Sequence, residues 1–71
     1  MDGEATQLDK FQTPFNKDIE IFDVALDNNV NLLRVRIREG KRFTIMDLDP
    51  VTAQRWAEIM ENWASAHMTK E

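Results

Sequence analysis

Between Asp18 and Asp47 the chain is rich in β-forming residues, Phe22 and Val24 and then Leu33, Val35 and Ile37 alternate with polar ones, and turn-forming residues divide the stretch at Asn28-Asn29 and at Gly40. A period of two marks strands that bury one face. Two breaks at turn-forming residues divide the stretch into three strands of an antiparallel meander. Asparagine tolerates the positive φ of a two-residue hairpin loop, so Asn28-Asn29 reads as the first turn. That loop pairs Val24 with Leu33, Phe22 with Val35, and Asp23 with Arg34. Gly40 suits the left-handed position of a three-residue loop, Arg38-Glu39-Gly40. That loop pairs Val35 with Phe43, Leu33 with Ile45, Leu32 with Met46, and Arg36 with Arg42.

After the third strand the period changes. Asp49 is a good N-cap, and Pro50 suits the first helical position. From there Ala53, Trp56, Ile59, Met60 and Trp63 recur at helical spacing, which predicts an amphipathic helix fraying near His67. The expected fold class is α+β: a three-stranded antiparallel β-meander packed on one C-terminal α-helix. One domain spans residues 18–67, and residues 68–71 form a frayed tail. The expected core joins Phe22, Val24, Leu33, Val35, Ile37, Phe43 and Ile45 to the apolar helix face. Residues 1–17 read as a flexible acidic arm, disordered to residue 9, then extended, with Phe11 or Phe15 docked on something apolar.

The chain has 71 residues, no cysteine and one histidine. A domain this small buries only about 60% of its unfolded surface and is marginally stable alone. Small folds gain stability from disulfides, a metal or a partner subunit. The composition excludes disulfides, thiolate zinc sites and histidine-rich metal sites, which leaves self-association. A homodimer is therefore expected. No apolar run approaches the roughly 20 residues of a membrane-spanning helix. The beginning MDGEATQLDK is acidic and polar, unlike a signal peptide. A cytoplasmic location without a membrane partner is expected, as is the absence of any cofactor.

Net charge is −4 but unevenly spread: residues 1–29 carry −5, residues 34–42 carry +4, and residues 43–71 carry −3. In the expected register the sheet face away from the helix has two zones. Arg34, Arg36 and Arg42 lie at one end, with Arg38 and Lys41 at the hairpin tip. This row suits an anion or a single-stranded nucleic acid, because guanidinium forks match phosphates and carboxylates. The plainer reading is a solvated face matched by Asp23, Glu20 and Glu39. Arg36 opposite Arg42 would repel unless an anion lay between them. Nucleic-acid binding lacks one ingredient, since both tryptophans and most phenylalanines are assigned to the core. The other zone, Ala25, Leu32 and Met46 with Leu48 nearby, is a candidate protein-interaction surface. The plainer reading there is cover by the N-terminal arm.

No catalytic set can be assembled. His67 lies near the chain end, and no glycine-rich phosphate loop occurs. The run from Asp27 to Asn31 begins like a calcium loop, but Leu32 stands where the glycine belongs and Arg38 where the glutamate belongs. Tryptophans seven residues apart on an apolar helix face read as core rather than as a ligand box. The chain is thus expected to be non-enzymatic and to act through protein contact.

The stretch LLRVRIREGKRFTIMDLDPVTAQRWAEIMENWA resembles a family of short uncharacterised bacterial proteins. The shared marks are an arginine-alternating strand, an R-E-G turn, an R-F-T strand and a D-x-D-P helix start. The resemblance spans residues 18 to 64 and implies no activity, cofactor or catalytic residue. The order of elements is also similar to single-stranded-DNA-binding transcriptional coactivators, which place antiparallel strands before a C-terminal helix and dimerise. Against that pattern the chain reads one strand short, lacks an exposed aromatic on the ribbon, and is acidic.

Overall fold

The computed structural model describes residues 4–68. Four strands, β1 (Glu4–Gln12), β2 (Asp18–Ala25), β3 (Asn31–Glu39) and β4 (Arg42–Leu48), form one antiparallel sheet in the order β1-β2-β3-β4. One helix among the described residues, α1 (Pro50–His67), follows. The fold is α+β as expected, but with four strands rather than three. The segment read as an arm is the fourth strand. It pairs with β2 from Glu4 opposite Ala25 to Gln12 opposite Asp18, with a bulge between Gln7 and Asp9. Its turn uses a positive φ of 65° at Asn16. Phe11 lies opposite Ile19, while Phe15 is exposed in the turn. Residues 1–3 of the expected disordered segment and residues 69–71 of the expected tail lie outside the described residues.

Both hairpin registers differ from the sequence reading, for one physical reason. Side chains alternate faces, so changing a loop by one residue turns the next strand over. The β2–β3 connection runs from Leu26 to Val30 around a 3₁₀ turn at Asp27–Asn29. It is closed by the Leu26 N–H donating to the Val30 carbonyl at 2.7 Å, with Asn29 at φ 59°. Ile21 therefore lies opposite Val35, Phe22 opposite Arg34, and Val24 opposite Leu32. The β3–β4 loop is Gly40-Lys41, two residues rather than three. Gly40 has φ 61°, the positive φ a type II′ turn requires at its first loop position. This places Val35 opposite Met46, Arg36 opposite Ile45, and Leu33 opposite Leu48.

The predicted faces of β3 are thus kept, while both neighbours are turned over. Leu33, Val35 and Ile37 face the helix beside Ile19 and Ile21 of β2 and Met46 and Leu48 of β4. Phe22, Val24, Phe43 and Ile45, expected in that core, share the opposite face with the arginines. The helix start is as read: the Asp49 carboxylate accepts from the Thr52 backbone N–H at 3.3 Å, with Pro50 in the first turn.

Packing of helix on sheet is slight. The helix rests chiefly on β3. Among the described residues only Val24 and Leu48 are buried hydrophobics, at 4% and 6% exposure. The expected layer of Trp56, Ile59, Met60 and Trp63 is not closed: Trp56 is 36% exposed and Trp63 64%. The molecule is flat and long, 48 × 30 × 16 Å.

Candidate functional site

Two surfaces carry the features that matter. The first is a cleft of about 360 Å³ between the helix and the sheet. Its floor is Ile19, Ile21, Val35 and Ile37, with Phe11 of β1 and Leu48 of β4 toward opposite edges of the sheet. Its wall is Ala53, Trp56, Ala57 and Met60. The cleft follows from the two periodicities meeting at a shallow contact. The strand face is apolar at every second residue, and the helix stripe at every third or fourth, but the helix lies on the sheet only along β3. The stripe also outruns the sheet. Trp63 continues it, stacked on the His67 ring at 4.5 Å between centroids, and the Trp63 carbonyl lies 2.9 Å from His67 Nδ1.

The second surface is the opposite sheet face. Arg34 forks onto Asp47, with Nε donating at 2.8 Å and a terminal nitrogen at 3.2 Å. That hydrogen-bonded guanidinium holds the Asp47 carboxyl below its ordinary range. Arg36 donates to Glu20 at 3.0 Å, and Lys10 approaches the same carboxylate at 3.9 Å. The Arg36 guanidinium also lies over the Phe43 ring, 4.4 Å from its centroid, with the Arg38 guanidinium at 5.8 Å. Arg38 Nε donates to the Gly40 carbonyl at 3.1 Å.

The sequence-derived residues are redistributed accordingly. Arg34, Arg36 and Arg38 do share the open face. Arg42 does not: it lies opposite Glu39, on the helix side, and Lys41 is in the loop. Arg36 faces Ile45 instead of Arg42, so no anion is needed to separate two guanidiniums. The matching acids are Asp47 and Glu20. Asp23 instead accepts from the Asn31 side chain at 2.9 Å, and Glu39 pairs with Lys17 at 3.2 Å. The apolar group Ala25, Leu32, Met46 and Leu48 is split. Leu32 lies on the open face opposite Val24. Ala25, Met46 and Leu48 lie on the helix side, where Leu48 is buried rather than available. The same loop parity causes both corrections.

The sequence reading placed Val35 and Ile37 of the cleft floor in the core but put Ile19 and Ile21 on the other face. Glu20, between those two isoleucines and already named among the acids matching the arginines, is the one that meets Arg36. Phe43 was also missed as an exposed aromatic among guanidiniums. Among the described residues no group of three or more metal-ligating side chains converges, and no helix is long and apolar enough to cross a membrane.

Fold and surfaces together define a small α+β meander domain with an open apolar cleft on one face and a charge-paired arginine face on the other. The chain belongs to DUF6967, a family of unknown function whose model matches residues 2–66. No curated protein and no solved structure matches it.

Proposed function

We propose that this chain is a non-enzymatic, homodimeric protein-interaction module whose second copy closes the cleft between helix and sheet. The observation that carries the reading is the apolar surface a single chain leaves open. A compact monomer of 8.3 kDa exposes about 4,600 Å². This chain exposes 6295 Å². Its radius of gyration is 14.3 Å, where a compact chain of this length has about 11 Å. The surplus is roughly 1,700 Å² per chain, so a dimer burying it would fall among obligate homodimer interfaces of about 2,000–5,000 Å² in total. A two-fold pair buries the same patch on both copies, which suits a cleft whose lining residues are all apolar. The interface moves from the face chosen by sequence to the helix side, because the strands flanking β3 are turned over.

Tryptophan emission tests this directly, since both tryptophans lie on the helix stripe. Dilution from high micromolar to nanomolar concentration should shift emission to the red and raise acrylamide quenching as the cleft opens. Emission that is water-like and unchanged at every concentration would refute the reading.

A second reading has its own observation. Phe43 is 50% exposed with the guanidiniums of Arg36 and Arg38 over its ring, an arrangement that could stack a base or hold an anion. The fourth strand and this aromatic remove two of the three departures from the single-stranded-DNA-binding coactivators; the acidic balance remains. The acids already bound to Arg34 and Arg36 weigh against it. A labelled oligothymidylate titrated at low salt tests it. Loss of binding in Arg36→Ala and Phe43→Ala would support this face, and binding that survives Arg34→Ala plus Arg36→Ala would exclude it.

A further inference from the structure

The two edges of the sheet are not alike. The β1 edge is guarded: a bulge breaks its register between Gln7 and Asp9, and Glu4, Asp9 and Lys10 put charges along it. Bulges and charges are the devices that keep an edge from pairing. The β4 edge has neither between its ends. Its register against β3 is unbroken from Arg42 to Leu48. Between Arg42 and Asp47 it carries only Phe43, Thr44, Ile45 and Met46. The three large residues of that set are all exposed: Phe43, Ile45 and Met46. An edge this long, regular and apolar is a template for another strand.

We infer that β4 pairs with β4 of a second copy, joining two sheets into one of eight strands; the inference rests on the homodimer proposed above and names its contact. The geometry admits few registers. A two-residue loop is closed by a hydrogen-bonded pair, so Glu39 and Arg42 exchange both backbone bonds. Alternation then aims the backbone groups of Phe43, Ile45 and Asp47 away from β3, toward the open edge. Outward groups must meet outward groups, so odd-numbered residues pair with odd-numbered ones. The register that uses the whole strand puts the two-fold axis at Ile45. Ile45 faces its own copy, and Phe43 faces Asp47 of the partner subunit. Thr44 faces Met46 of the partner subunit.

Charge favours this arrangement. The guanidiniums over Phe43 bring positive charge to the point that faces the partner's Asp47. Directly opposite residues lie on one side of a sheet. Both helices therefore fall on the same side of the joined sheet, with Thr44 and Met46 of each copy on the floor between them. A second copy is thus the occupant that satisfies the edge, and it brings its own apolar helix stripe to the same side of the sheet.

The full chain has no cysteine, so Ile45→Cys introduces a single thiol. Two such residues across a hydrogen-bonded antiparallel pair have Cα atoms about 5.5 Å apart, within disulfide range. Mild oxidation should convert Ile45→Cys to covalent dimer at least tenfold faster than Thr6→Cys on the guarded edge. Ile45→Pro removes an outward N–H that β3 does not use, and should weaken the dimer by 100-fold or more with the circular dichroism retained. A dimeric parent chain whose Ile45→Cys variant oxidises no faster than Thr6→Cys would overturn the β4 pairing and leave the dimer standing. A parent chain that is monomeric throughout would overturn both. Should Ile45→Pro fail to fold, the two cysteine variants decide alone.

Discussion

Leu48→Ala isolates the consequence of the observed register. In the sequence-derived register Leu48 lies on the open face and Phe43 in the core; in the structure their places are exchanged. Leu48 is 6% exposed, opposite Leu33 and against Ala53, at the junction of helix and sheet. Truncating a buried leucine costs about 2–5 kcal/mol, the larger values going with larger residual cavities. Leu48 already borders open apolar space, so its neighbours can relax and the lower part of the range, about 2–3 kcal/mol, applies. A domain of this length has total stability of only about 4–10 kcal/mol. Phe43 is half exposed and its contact is with guanidiniums, so Phe43→Ala should cost about half as much, near 1 kcal/mol. Urea unfolding followed by circular dichroism measures both, at one fixed protein concentration because dimer stability depends on concentration. With a slope of about 1 kcal/mol per molar, Leu48→Ala lowers the midpoint by about 2 M or more. Phe43→Ala costing more than Leu48→Ala at a concentration too low for the dimer, where Phe43 faces no partner, would refute the register and the face assignments built on it.

Further outcomes follow from local geometry. Gly40→Ala should destabilise by about 1–2 kcal/mol through its positive φ alone, because the new methyl meets nothing within 4 Å; Gly40→Asn should cost less, and thermal denaturation compares them. The carboxyls of Asp47 and Asp49 are both held below their ordinary value of 3.8, Asp47 first by the Arg34 hydrogen bond and Asp49 first by the Thr52 hydrogen bond. Folded-state values that are depressed give stability present above the unfolded value and lost as pH falls through the folded one, so unfolding midpoints should drop below about pH 4. Carboxyl-detected titration of Arg34→Ala should return Asp47 toward its ordinary value while leaving Asp49 low. Glu20→Gln should release Arg36 and Lys10 together, increasing affinity for inorganic anions at low salt if the arginine face binds them; an unchanged affinity removes that face from consideration.

The parts of the fold legible in the sequence are those with a single solution. Asp49-Pro50 admits only a helix start, and β3 alternates arginine with aliphatic residues, so its faces admit one assignment. Its neighbours do not. In β2 both Ile19-Ile21 and Phe22-Val24 offer an apolar face, and in β4 both Phe43-Ile45 and Met46-Leu48 do. Hydrophobic patterning cannot choose between such faces, and one loop residue decides. The pairs that complete the observed choice are Arg34 with Asp47 and Arg36 with Glu20, which become neighbours only once the loops are known. The strand β1 was illegible because EATQLDKFQ has only two large apolar residues, one of them at the bulge. The candidate site suffered most from this, since a face assigned wrongly on two strands scatters any surface composed across them. The arginines of β3 survived as a group because they lie on the strand whose faces were unambiguous.

The central claim is that this chain pairs with a second copy of itself. Light scattering coupled to size-exclusion chromatography at micromolar concentration measures it without a label or a variant. The expected mass is twice the 8.3 kDa of the chain. A mass of 8.3 kDa that persists at several hundred micromolar would contradict it.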